Sequence, residues 1–263
     1  MSAPSYKFIN KLQGKRVLIF GGTSGIGFAV AEACVEHGST VIISGSNPAK
    51  LDKTVQRLTK SYPNVSPSQI VTHACDLSDQ ERIESNIQSL LSAVTEGGRT
   101  QLNHVVFTAG DALSLPQLSQ VTVEAIQKRQ MVRNMAPIII AKYLLEYLDK
   151  SPDSSYTLTG GVNSTKPAPG WAVAATGGSM NEGLSRGLAV DMAPVRVNLV
   201  APGAVKTELI NGIPEQAIEG YRRATTVQRL GRPEDIAEAY LYIMKDGFVT
   251  GSIIASNGGR LLV

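Results

Sequence analysis

The residues with the clearest capacity for chemistry lie in VLIFGGTSGIGFAVAEAC, where Gly21, Gly25 and Gly27 close an apolar run and open a helical pattern. Glycines so placed permit a tight turn, let backbone approach a pyrophosphate and allow close packing of helix on strand. The free N–H groups of the helix start attract anions. The spacing predicts dinucleotide binding, with Gly21, Thr23, Ser24, Gly25, Ile26 and Gly27 around the phosphates. A second cluster closes VIISGSNPAK: no Asp or Glu occurs from Ser39 to Leu51, whereas Ser46, Asn47 and Lys50 do. An acid there would bind a ribose diol and repel a 2′-phosphate, so its absence predicts NADP(H) as cofactor.

The elements that must position these groups follow from hydrophobic patterning. Apolar runs at Arg16–Phe20, Thr40–Ser44, Ile70–Ala74, His104–Thr108, Ser155–Thr159, Val195–Val200 and Gly251–Ser256 predict buried strands. Between them, helices are expected at Ile26–His37, Pro48–Lys60, Ser78–Ala93, Val121–Asp149, Ala175–Met192 and Pro233–Lys245. Asn47-Pro48 supplies a cap and a first-turn proline, and Glu234 and Asp235 place acids at a positive helix end. Short strands alternating with helices predict an α/β fold: a Rossmann-type, doubly wound parallel sheet of about seven strands, helices on both faces, as a single domain over residues 1–263. The apolar segment MAPIIIAKYLL in the long helix predicts a face that meets a partner subunit as well as the sheet.

With 263 residues, 43% hydrophobic and 18% charged, the composition is that of a globular protein. A dispersed net charge of +3 gives no basic patch for nucleic acid. Cys34 and Cys75 show no disulfide spacing, and His37, His73 and His104 no metal-ligand spacing, so all five are expected to be structural and no metal is expected. The N-terminus lacks an apolar leader and no stretch is long enough to span a bilayer, which predicts a soluble, cytoplasmic protein without membrane association.

Several motifs in the right order resemble the classical short-chain dehydrogenase/reductase family over essentially the whole chain. The family's T-G-x-x-x-G-x-G is matched from Phe20 to Gly27, its N-A-G by Thr108-Ala109-Gly110, and its R-V-N-x-x-x-P-G-x-x-x-T by the segment from Arg196 to Thr207. The resemblance implies that Asp76 and Leu77 contact adenine, that Thr108, Ala109 and Gly110 border the cofactor, and that Pro202, Gly203, Val205 and Thr207 frame the nicotinamide and pyrophosphate. It also places the catalytic tetrad by register: the tyrosine position falls at Ala174, the lysine at Gly178, the serine at Gly161 and the asparagine at or near Arg133. All four are changed. The tyrosine protonates a developing alkoxide and the lysine lowers its pKa, so ordinary ketone reduction is not expected. A C=N⁺ acceptor needs no such acid, because hydride addition gives a neutral amine.

KPAPGW, the altered helix after it, and Arg133 in MVRNMAP are similar to a narrower group, the fungal reductase/Diels–Alderases of the malbrancheamide and paraherquamide type. The resemblance implies reduction of a prenylated, tryptophan-derived cyclic iminium with NADPH, followed by an intramolecular Diels–Alder cycloaddition. It further implies that Trp171 stacks on the indole or diene and that Arg133 lies near the nicotinamide ribose and substrate. The Asp expected three residues before the tryptophan is Ala168, so that residue's role is not carried over. Leu209, Ile210 and Tyr221 fall in the family's substrate-lid region. The partners expected are a small apolar alkaloid substrate and further copies of the chain, as a tetramer or dimer. Two other readings stand: a non-redox cyclase using NADP(H) as a structural wall, and a catalytically silent NADP(H)-binding scaffold.

Overall fold

In the computed structural model, which describes residues 6–111, 115–211 and 213–263, strands β1 (Arg16–Phe20), β2 (Thr40–Gly45), β3 (Ile70–Ala74), β4 (His104–Phe107), β5 (Ser155–Thr159), β6 (Arg196–Pro202) and β7 (Ile253–Ser256) build one sheet. Its order is β3-β2-β1-β4-β5-β6-β7, with every neighbouring pair parallel. Parallel neighbours require crossovers, supplied by α1 (Gly25–Glu36), α2 (Pro48–Ser61), α3 (Ile83–Val94), α4 (Val123–Gln130), α5 (Ala136–Tyr147), α6 (Ala172–Asp191) and α8 (Pro233–Lys245); α7 (Glu215–Arg223) lies in the excursion between β6 and α8.

Alternation along β1 explains why both faces are covered. Val17 and Ile19 join a core with Phe28, Val30, Leu58 and Tyr240, whereas Leu18 and Phe20 join the opposite core with Ile87, Leu90, Ile140 and Leu144. A strand buried on both sides reads as an uninterrupted apolar run, which is how these strands appear in the sequence. His104 is buried beside the Ser155 hydroxyl, at 2.9 Å, and burial pushes its pKa down to about 3, so the ring is neutral inside the sheet. Cys34 and Cys75 are both free and buried.

The expected helix Ser78–Ala93 starts later, at Ile83, because Asp76 and Asp79 turn the chain first. Asp76 accepts from the backbone N–H and hydroxyl of Ser78, and Asp79 from the backbone of Glu81 and Arg82. The expected continuous helix Val121–Asp149 is divided. A π-helical turn, Met131–Met135, separates α4 from α5, and helical structure ends at Tyr147. Pro137 follows within the first turn of α5, where a missing N–H is tolerated. Helix α6 starts at Ala172, earlier than expected, and α7 was not expected as a helix. No helix among the described residues is long and apolar enough to cross a membrane.

Candidate active site

Between β1 and β4 the direction of winding reverses, and at such a point the loops leaving the carboxyl ends of the strands diverge and open a crevice. A cavity of about 1150 Å³ occupies it, larger than the ~300–1000 Å³ of an ordinary small-ligand pocket. Every residue assigned to cofactor or substrate in the sequence lies in its wall, including Arg133 on the π-turn and Trp171 at the start of α6. Leu209, Ile210 and Tyr221 border it from the lid side.

One half of the wall is shaped for close backbone approach. A Cβ on Gly21, whose φ is +83°, would stand 2.6 Å from the Ala109 nitrogen, and one on Gly27 would stand 2.4 Å from the Gly21 carbonyl oxygen. Only glycine satisfies both contacts. Ser24 caps α1 without a side-chain hydrogen bond, so the first N–H groups of that helix face the cavity wall it lines. The buried Ser44 hydroxyl, also in the wall, has no hydrogen-bond partner among the described residues. A pyrophosphate over the glycines would meet the free N–H groups at the start of α1, so the residues present fit a nicotinamide dinucleotide. Asn47 caps α2 by accepting from the Lys50 N–H at 3.2 Å, which sets Ser46, Asn47 and Lys50 at the cavity's edge.

The other half carries cations and open space. Arg133 lies against Gly110: a Cβ there would meet the guanidinium carbon at 2.7 Å, so the glycine makes the room. The guanidinium donates from Nη2 to the Asp111 carbonyl, while its buried Nε has no partner among the described residues. Burial, and then the neighbouring charge of Arg129, lower the Arg133 pKa, against the opposing pull of Asp111. The π-turn is pinned from α6. Asn181 donates to the Arg133 carbonyl at 3.0 Å and to the Thr159 carbonyl at 3.4 Å, and Asn134 donates to the Gly177 carbonyl at 2.8 Å and to Asn181 at 3.0 Å. A widened turn so anchored re-aims one side chain without ending the helix. Trp171, half-buried, stands one turn before Ala174 on the same face of α6.

Ala174, Gly178 and Gly161 line the cavity and bring no acid. Tyr143, Tyr147 and Tyr156 are not in the wall: Tyr143 donates to Glu84, and Tyr156 is fully buried with its hydroxyl on the Pro137 carbonyl at 3.1 Å. Cys75 lines the wall but burial, reinforced by Asp76, pushes its thiol up to about 12, so it is no nucleophile. Lys166 is half-buried and donates to the Val263 carbonyl.

The sequence reading missed Ser44, Arg129, Ser164, Asn181 and Arg260, all in the wall. For Asn181 a signal existed: Trp171, Ala174, Gly178 and Asn181 fall at helical spacing on one stripe of α6. Ser164 ends a single 3-10 turn, Val162–Ser164, and Arg260 lies in a turn near the C-terminus, both too short for a period to mark the inward side.

Comparison with known proteins agrees with this geometry. Residues 8–263 match the family model described as an SDR-like Rossmann domain. The chain is 46% identical over 265 residues to the short-chain dehydrogenase/reductase malC of Malbranchea aurantiaca, covering 99% of each, and 38% identical to fsr5 of Gibberella fujikuroi, covering 97% of this chain and 98% of that one. The solved structure of the MalC reductase/Diels–Alderase from Malbranchea aurantiaca superposes with a TM-score of 0.90 at 45% identity, over 97% of this chain and 99% of that chain.

Proposed function

The chain belongs to the short-chain dehydrogenase/reductase family, and from that premise we propose that it is an NADPH-dependent reductase of a bulky cyclic iminium that also guides an intramolecular Diels–Alder cycloaddition. The observation that carries this reading is the contrast inside one cavity: a complete dinucleotide cradle beside the emptied positions Ala174, Gly178 and Gly161. The MalC relative, named as a reductase/Diels–Alderase, supports it over nearly the full length of both chains.

When bound, the dinucleotide supplies a hydride. Gly21, Thr23, Ser24, Gly25, Ile26 and Gly27 hold its phosphates, Ser46, Asn47 and Lys50 its 2′-phosphate, and Asp76 and Leu77 its adenine. Thr108, Ala109, Gly110, Pro202, Gly203, Val205 and Thr207 hold the nicotinamide end. Arg133 orients the ribose and a substrate carbonyl with its guanidinium at the cavity wall, and Trp171 offers a flat apolar face to an indole. Since C=N⁺ becomes a neutral amine on reduction, no side chain has to donate a proton in that step. Folding diene and dienophile together in a walled cavity then accelerates cycloaddition by proximity. Exposed Val123, Met135 and Leu145 on the α4–α5 segment support association into a dimer or tetramer, and the two buried thiols support a reducing cytoplasm.

The test is deuteride transfer. Protein loaded with nicotinamide-deuterated NADPH and a prenylated, tryptophan-derived cyclic iminium should place one deuterium on the former iminium carbon of the polycyclic product. Polycycle formed without deuterium would favour the non-redox cyclase. Cofactor binding without any product would leave the scaffold.

A further inference from the structure

On the iminium reading, the ring entering this cavity is a cation, yet the wall at the α4 end presents Arg129 and Arg133 and the loop offers Ala168 where an acid was expected. Two guanidiniums disfavour a third positive charge in a poorly hydrated space. A carboxylate stands behind the wall. Glu182 lies one turn beyond Gly178 on α6, half-buried, and the Ser164 hydroxyl, which lines the cavity, is within hydrogen-bonding reach of Glu182 Oε1 and of the Gly161 carbonyl, the latter at 2.8 Å. Ser164 occupies the space a side chain at 178 would claim: a Cβ on Gly178 would be 3.0 Å from Ser164 Cβ. The loss of the side chain at 178 thus brings a carboxylate-backed hydroxyl to the cavity surface.

We propose that Ser164 and Glu182 form a proton-accepting pair that takes a proton from the carbon next to the C=N⁺ carbon and so interconverts the cationic ring with its neutral enamine before hydride is delivered. A hydroxyl carries one proton and here faces two acceptors, so its oxygen can take a proton from the cavity side while its own passes to Glu182. In the step, a C–H bond beside the C=N⁺ breaks. Its electron pair becomes a C=C bond, the C=N⁺ pair returns to nitrogen, and the charge on the ring is discharged. The proton ends on Glu182 as a carboxylic acid and leaves to solvent, so no electron acceptor is required. Ser164 touches the substrate; Glu182 acts through it.

The experiment measures deuterium wash-in. The prenylated cyclic iminium is incubated in deuterium oxide with wild-type protein and with Ser164→Ala, Glu182→Gln and Glu182→Asp, with and without NADPH. Wild type should introduce deuterium at the carbon next to the former C=N⁺ carbon. Ser164→Ala and Glu182→Gln should slow that wash-in by about 100-fold or more while quenching NADPH fluorescence as the wild type does, and Glu182→Asp should recover part of the rate. Wash-in by both variants at the wild-type rate would overturn the pair, as would loss of NADPH quenching together with wash-in, the mark of a purely structural contact. A wild type that reduces the iminium with no enzyme-dependent wash-in would overturn the pair and leave the reductase reading intact. A wild type that neither reduces nor cyclises the iminium would overturn both.

Discussion

The glycines of the β1–α1 turn and those of α6 look alike in the sequence and differ in what surrounds them. At Gly21 and Gly27 an added Cβ would stand 2.6 and 2.4 Å from backbone atoms, contacts that cannot yield. At Gly183 and Gly187 it would meet nothing within 4 Å, and at Gly161 the nearest atom is 4.0 Å away. The first set is imposed by a close approach of main chain to main chain. In the second, glycine is permitted at the exposed Gly183 and Gly187, while at Gly178 the missing side chain gives its place to Ser164, whose Cβ would lie 3.0 Å from an added Cβ. One half of the cavity wall is therefore close-packed backbone, which the proposed function reads as a cofactor cradle, while the other carries Ala174 and Gly161 and is read as substrate space.

The sharpest way to break this comparison is Gly27→Ala. Its methyl must displace the Gly21 carbonyl or the Thr108 hydroxyl, which should cost about 1–3 kcal/mol in stability and weaken NADPH binding by about 100-fold, read by thermal melting and cofactor fluorescence. Wild-type behaviour would show that the cradle is not close-packed against its ligand. Next in size is the double change Ala174→Tyr with Gly178→Lys. It should leave NADPH binding intact, reduce iminium turnover by about 100-fold by filling the cleared half, and confer no ketone reduction, because Gly161 supplies no hydroxyl and Ser164 already occupies the lysine's path. Vigorous ketone reduction would mean that the site had lost only its acid and not its shape.

A smaller effect separates the two ends of the cofactor. Lys50→Ala removes a cation from the edge of the cradle and should weaken NADPH binding by about 10-fold with NADH binding unaltered, measured by paired titrations. Equal loss for both cofactors would take Lys50 away from the 2′-phosphate. Smallest is Gly183→Ala on the permissive side, which should raise stability by about 0.5–1 kcal/mol through helix propensity without altering turnover. A destabilised protein would place a neighbour where the structure has open space.

The strands were legible because the central ones, β1, β2, β4 and β6 above all, are buried on both faces, so their apolar runs stood out against the helical periods around them. The glycine turn was legible for an equally local reason: Gly21 follows β1 directly, and Gly25 and Gly27 open α1. What escaped depended either on contacts distant in sequence or on local side-chain turns that compete with a helix. The π-turn at Met131–Met135 is held by Asn181 from another element, and a continuous helical pattern gives no sign of it. Helix α3 began late because two aspartates form side-chain-to-backbone turns that compete with helix initiation. Ser164 and Glu182 meet only because a loop folds back over α6 at the position a glycine vacates. The emptied tetrad itself was readable from register, but which groups had taken its place was not.

The central claim is that this cavity keeps the hydride source and selects an acceptor that already carries positive charge. It is tested most directly by following nicotinamide absorbance in single turnover with two substrates of the same size and shape, one a prenylated cyclic iminium and the other the corresponding neutral cyclic ketone. The account predicts that NADPH is consumed with the iminium and that the ketone leaves it untouched. Oxidation of NADPH by the ketone at a comparable rate, with the iminium inert, would contradict it.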